Sequence, residues 1–294
     1  MGYNILVPLD GTEIAGEIVP YVQYVTARPE ADVTLLHVLP DLTRYDPTYI
    51  ESARKTAVAH MDGIFTQLST VVDRLHCEFR MGDPVSEILK FAALQRTSLI
   101  VMPTNGRKGF ERLLSGSVTE HVMRQSHCPM LLSHVSEDKV PDASDKPRFN
   151  RILVPLDGTE QGLCIVPVVE EFASLYQSEV ILFHDNLGLS DTGNKLEGDG
   201  VGHQLEAQRL RLADAGLTVS LQYNDAGKPA DDIIEAVSTS SADLIAMTTH
   251  GRSGVDRLAY GSIVEHVLRH ATRPLLVLCT APGATMDYVE KYLG

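Results

Sequence analysis

Short apolar runs and longer stretches of helical periodicity alternate along this chain. "NILVPL" (residues 4–9) and "VTLLHV" (33–38) are continuous and rich in branched side chains, the pattern of parallel strands covered on both faces. Between them "TEIAGEIVPYVQYVTA" (12–27) spaces its apolar residues for a helix, with Thr12 placed to cap it. The same reading predicts a helix over 46–69, a strand near "HCEFRM" (76–81), and a helix from Pro84, where proline suits a first turn. The strand "SLIVM" (98–102), a helix from about Gly116 and the strand "PMLLSH" (129–134) complete five strands with intervening helices. Such an alternation is an α/β doubly wound, Rossmann-like parallel sheet, whose ligand crevice lies beyond the carboxyl ends of its strands.

The pattern is then written a second time. "NILVPLDGTE" (4–13) returns as "RILVPLDGTE" (151–160), differing only in its first residue. Asp10 and Asp157 lie 147 apart (157 minus 10), as do His37 in "VTLLHV" and His184 in "VILFHD". "GDPVSEIL" from Gly82 answers "GKPADDII" from Gly227, and "GSVTEHVMR" from Gly116 answers "GSIVEHVLR" from Gly261, now 145 apart (261 minus 116). The second copy is therefore two residues shorter between its second strand and Gly227, a difference assigned to a loop.

These repeats define two domains, 1–136 and 150–281, joined by a polar, proline-containing linker at 137–149 and followed by a tail at 282–294. The second copy also carries "NLGLSDTGNKLEGDGVG" (186–202), a glycine-rich stretch read as a mobile loop because its "GDGVG" does not match GxGxxG.

Composition narrows the function classes. A chain of 294 residues with 44% hydrophobic and 22% charged residues accommodates two globular cores. No run of eighteen apolar residues and no signal-peptide pattern is present, which favours the cytoplasm and argues against a membrane partner. The formal charge of -14 argues against nucleic acid as a partner, but leaves room for one small nucleotide held by a helix end and a few amides. Cys77, Cys128, Cys164 and Cys279 form no CxxC pair and read as buried reduced thiols.

Candidate chemistry gathers at the expected sheet edge. "VPLDGT" ends the first strand of each copy with a carboxylate and then a glycine that lets the chain turn. Asp10 and Asp157 would face the crevice there as acceptors for a ribose hydroxyl or base amine, or would cap their own helices. After the fourth strand, glycines at 106, 109 and 116, and at 251, 254 and 261, permit close backbone approach, while Ser117 and Ser262 stand where a helix begins. Free amides, a hydroxyl and the positive helix end suit phosphate oxygens. His37 and His184 read as hydrogen-bonded core histidines. His266 and His270, at i and i+4, read as residues favouring a helix C-terminus rather than as metal ligands. Magnesium, if used, would arrive with the phosphates.

Together these segments resemble the universal stress protein family in its tandem form, over nearly the whole chain. The family pattern G-x2-G-x9-G-(S/T) is met at Gly106 with Gly116-Ser117 and at Gly251 with Gly261-Ser262, although Pro103 and Thr248 replace its leading glycine. The resemblance implies two Rossmann-like domains, each a five-stranded parallel sheet of order 3-2-1-4-5, with an ATP or AMP site at the switch point between the first and fourth strands. It places Pro8, Leu9, Asp10, Val38 and Met102 at adenine and ribose, and Gly106, Gly109, Gly116, Ser117, Val118 and Thr119 at the phosphates. The second copy's counterparts are Pro155, Leu156, Asp157, Asp185, Met247, Thr248, Gly251, Gly254, Gly261, Ser262, Ile263 and Val264. Pro103 lacks an amide donor, Asp185 replaces Val38, and Val264 lacks the hydroxyl of Thr119, so each copy departs from the pattern at a different place.

Three functions are compatible with these residues. One is an adenine-nucleotide-binding stress regulator, in which ATP or AMP occupancy shifts the packing of the two halves or of a dimer; the resemblance implies that the fifth strands pair the two copies as an intrachain pseudo-dimer and that two chains associate as a homodimer. A second is an assembly module with degenerate sites. The third is a slow nucleotide hydrolase, disfavoured because GxxxxGK[ST], GxSxG and HExxH are all absent and no catalytic base is evident.

Overall fold

The computed structural model describes residues 3–11, 18–26, 30–39, 46–105, 118–135, 149–185, 200–224, 227–249 and 262–280. The chain divides into two compact units, Met1–Pro147 and Arg148–Gly294.

In the first unit, β1 (Tyr3–Leu9), β2 (Ala31–Leu39), β3 (Arg74–Met81), β4 (Leu99–Asn105) and β5 (Met130–Val135) lie in the order β3-β2-β1-β4-β5. The pairs β1 with β2, β1 with β4, β2 with β3 and β4 with β5 are all parallel. Ile5, Leu6 and Val7 of β1 and Ile100 and Val101 of β4 are almost completely buried. Continuous apolar sequence is the consequence of covering both sheet faces, which leaves no solvent side for a polar residue. The covering helices include α1 (Val19–Val25), α2 (Pro47–Leu68), α3 (Pro84–Leu94) and α4 (Val118–Gln125).

Two of these starts follow directly from local chemistry. Pro47 and Pro84 stand in the first turns of α2 and α3, where a missing amide hydrogen costs nothing, and Asp46 and Asp83 cap them. Asp46 Oδ1 accepts from Thr48 N at 2.8 Å, and Asp83 Oδ1 accepts from Ser86 N at 2.9 Å.

The second unit repeats the permutation. Its strands β6 (Arg151–Pro155), β7 (Glu179–Asp185), β8 (Val219–Asn224), β9 (Leu244–Thr248) and β10 (Leu275–Leu278) run β8-β7-β6-β9-β10, parallel throughout. Its helices include α5 (Glu160–Leu163), α6 (Ile165–Tyr176), α7 (Gly200–Asp214), α8 (Pro229–Thr239) and α9 (Ser262–His270). Each unit is thus the expected doubly wound α/β sheet of order 3-2-1-4-5.

Two local expectations need revision. Phe149, at the end of the polar connector, is fully buried against Phe172 and Tyr176, and its carbonyl accepts a hydrogen bond from Ser178 Oγ. One large aromatic ring is enough to anchor the end of an otherwise polar segment. Gly200, Val201 and Gly202, expected in a mobile loop, form the first turn of α7. Val201 is buried, and that contact outweighs the weak helical preference of its flanking glycines. The rest of that stretch and the Thr12 cap lie outside the described residues.

Candidate functional site

The strand register brings the predicted base and ribose positions together. Leu9 pairs with His37, so Asp10 and Val38 follow at adjacent carboxyl ends. β4 lies on the other side of β1, with Met102 midway along it and three residues short of its carboxyl end. The crevice predicted for this topology opens where the strand order reverses, between β1 and β4. In the second unit Pro155 ends β6, Asp185 ends β7, and Met247 and Thr248 end β9. Pro8, Leu9, Leu156, Met102 and Met247 have buried side chains and can shape this edge chiefly through backbone and packing, whereas Asp10 is exposed and Asp157 half-buried.

Beneath each Leu-Asp-Gly turn sits a histidine. His37 Nδ1 is 2.8 Å from Leu9 O, and His184 Nδ1 is 2.7 Å from Leu156 O; both histidines are 6% exposed. A carbonyl oxygen can only accept, so each Nδ1 carries the proton and donates it. Burial lowers the His37 pKa below its ordinary 6.5, against opposing help from the Leu9 bond and Asp10. The predicted core histidines therefore stand as hydrogen-bonded props under the acidic turn, in both copies alike.

The turns themselves require glycine. Gly11 has φ +81° and Gly158 φ +78°, the left-handed region that an L side chain enters only at a cost. A Cβ on Gly158 would also lie 2.5 Å from Val201 Cγ2, whereas one on Gly11 would meet only His37 Cε1 at 3.4 Å.

For the second aspartate the local role is visible. Asp157 Oδ1 accepts from Thr159 N at 2.9 Å and from Thr159 Oγ1 at 2.6 Å. Thr159 is the residue that caps α5, its Oγ1 accepting from Gly162 N at 3.0 Å. Asp157 thus orients the cap without being one, and a Cβ at Gly162 would intrude to 2.5 Å from Asp157 Oδ1.

Of the expected phosphate-holding residues, Val118 and Thr119 open α4, and Ser262, Ile263 and Val264 open α9. Val264 is 5% exposed, so its side chain is withdrawn into the core, while Val118 is exposed. Gly106, Gly109, Gly116, Ser117, Gly251, Gly254 and Gly261 lie outside the described residues. Pro103 sits within β4, opposite Ser133.

Asp185 departs most from its counterpart. It is 7% exposed, its Oδ1 accepts from Gly227 N at 3.4 Å, and its Oδ2 is buried without a hydrogen-bond partner. Burial raises its pKa; the Gly227 bond opposes the rise, and the neighbouring carboxyl of Asp232 adds to it. Asp232, also buried, accepts at Oδ2 from Lys228 N at 3.1 Å. Asp232 was not foreseen as a site residue. Its signal was the change from "GDPVSEIL" to "GKPADDII", which removes the capping acid at the first position and adds acids inside the helix.

The other histidine pair is engaged locally. His266 and His270 rings stack at 4.2 Å, His266 Nε2 lies 3.0 Å from Asp231 Oδ1, and His270 Nδ1 lies 2.8 Å from His266 O. Among the described residues no three His, Cys, Asp or Glu side chains are grouped to hold a metal, and no helix is long and apolar enough to cross a membrane.

The family model for the universal stress protein family matches residues 2–134 and again 148–278. The chain belongs to the universal stress protein family. It carries two modules of that family in tandem. A universal stress protein of Methanocaldococcus jannaschii is 27% identical over 137 residues, covering 44% of this chain and 80% of the relative. One from Mycobacterium bovis is 26% identical over 210 residues, covering 68% of this chain and 67% of the relative. The crystal structure of a universal stress protein from Archaeoglobus fulgidus has the same fold, with a TM-score of 0.74 at 20% identity, over 96% of this chain and 97% of that one.

Proposed function

We propose that this tandem universal stress protein is a stress-response regulator that binds adenine nucleotide, ATP or AMP, at the carboxyl edge of its sheets. The observation that carries the reading is the duplicated Leu-Asp-Gly turn at the strand-order reversal, held from below by a buried histidine at 2.8 and 2.7 Å. The turn supplies a fixed carboxylate for ribose hydroxyls or a base amine, and the helix starts at Val118 and Ser262 supply amides and positive dipole for phosphates. Magnesium would enter with the phosphates and neutralise them; the protein contributes position.

Calorimetry of the full chain with ATP, AMP and ADP tests this reading. Saturable heat is expected, with one or two nucleotides per chain, and Gly116→Glu and Gly261→Glu each abolish binding in their own module by placing a carboxylate against the phosphates. Silent titrations into the millimolar range would overturn it. Sedimentation with and without nucleotide tests whether two chains associate as a homodimer.

The buried Asp185 favours a second reading for the second module, an assembly role without nucleotide. A stoichiometry of one, abolished by Gly116→Glu and untouched by Gly261→Glu, would support it.

A further inference from the structure

At the carboxyl end of β7, Asp185 meets Asp232 of α8, and both acids are buried. Asp185 and Asp232 are 7% and 5% exposed, and they are close enough for a side-chain hydrogen bond. As two carboxylates the pair cannot form that bond, because neither has a proton to donate, and Asp185 Oδ2 is left buried and unpartnered. A buried ionised carboxyl without a partner is costly, and two facing each other are costlier still. One proton removes both costs: it neutralises a charge and supplies the missing donor, as in carboxyl pairs that share a proton.

We propose that Asp185 and Asp232 bind one proton between them, and that this shared proton fastens the start of α8 to the carboxyl end of β7, giving the second module a pH-responsive crevice wall that the first lacks. The remaining oxygens already hold the backbone of the same junction, Asp185 Oδ1 taking Gly227 N and Asp232 Oδ2 taking Lys228 N. Loss of the proton sets two like charges against each other across that junction. In the first module Val38 stands in place of Asp185, and Glu87, in place of Asp232, is bound by Lys90 Nζ at 2.8 Å. No carboxyl pair exists there to titrate.

Among the described residues, the surrounding groups do not supply an alternative counter-charge. His184 on β7 favours an ionised Asp185, but its Nδ1 is committed to Leu156 O. Tyr223 on β8 pairs with His184 and is itself raised in pKa by burial. Asp157, after β6, is acidic. On α8 Asp231 is paired with His266 of α9, and Lys228 meets the pair through its backbone amide.

The test follows the amide resonances of Gly227 and Lys228 in the full chain by NMR from pH 3.5 to 8. Both are expected to inflect together, above the ordinary carboxylate value of about 4. Asp232→Asn replaces the shared proton with a permanent N–H donor and should move the Gly227 inflection down; Asp185→Val, which copies Val38, should remove it. Absence of an inflection, inflections at the ordinary value, or a Gly227 inflection unmoved by Asp232→Asn would overturn the proposal. The effect on ligand rests on the nucleotide reading above: affinity at the second module should change about fivefold between pH 5 and 7.5, and Asp185→Val should flatten it. A chain that binds no nucleotide would refute that reading alone, since the amide titration needs no ligand.

Discussion

At the scale of single residues, the two acidic turns offer matched tests. Gly11→Ala and Gly158→Ala both force an L side chain into the left-handed region, at about 1–2 kcal/mol. Only the second drives a Cβ into Val201, at 2.5 Å. Overpacking of this kind adds about 1–3 kcal/mol, so urea unfolding should show Gly158→Ala as the more damaging change, partly rescued by Val201→Ala. His37 carries a pH signature as well. Its folded pKa lies below its ordinary 6.5, so the unfolded chain takes up the proton first as pH falls. The contribution is full above pH 6.5 and is lost as pH drops through the lowered folded value. Replacing His37 by Phe leaves the Leu9 carbonyl without its donor, at about 1–3 kcal/mol, and should abolish that part of the acid dependence in denaturant titrations at pH 7.5 and 5.5.

At the scale of elements, what was legible depended on how far apart the deciding atoms lie in sequence. Pro47 and Pro84 with Asp46 and Asp83 signal helix starts within a few residues, and α2 and α3 begin there. Asp83→Ala should therefore lower the urea midpoint of the first unit, as loss of a helix cap does. The central strands were equally readable, since burial on both faces leaves unbroken apolar runs. By contrast, α8 begins after Lys228 with no side-chain cap, and its Asp232 serves a contact to β7 across 47 residues (232 minus 185). Nothing local announces such a partner. The same holds for Val201, whose burial beside Gly158 turns a glycine-rich stretch into a helix start, and for Phe149, whose ring finds its pocket on α6. The aspartate of the turn stands out in the sequence as a candidate site residue, but the sequence left its two roles level. The Thr159 relay resolves the local one for Asp157 Oδ1, while the crevice role remains the proposal tested by calorimetry.

At the scale of the whole molecule, duplication with divergence leaves each unit with a buried group whose contribution to stability runs the opposite way with pH. His37, lowered by burial, makes the first unit gain stability as pH rises toward 6.5. Asp185, raised by burial and Asp232, contributes stability that is full below its ordinary 3.8 and is lost as pH rises through the higher folded value. The difference in stability between the units should therefore grow in favour of the first as pH increases from about 4 to 6.5. Each kcal/mol corresponds to about 2–4 °C in the midpoint of a unit of this size. A single melting temperature would blur the effect, because a chain of two compact units need not unfold in one step. Hydrogen exchange resolves it: amides of β2 and β7 report the two cores separately, once intrinsic rates are corrected for pH. Protection in β2 should rise relative to β7 across this range. Asp185→Val should remove the part contributed by β7 and His37→Phe the part contributed by β2. If both variants leave the divergence intact, neither buried group is its source, and the asymmetry between the copies would have to be sought in the remaining carboxylates.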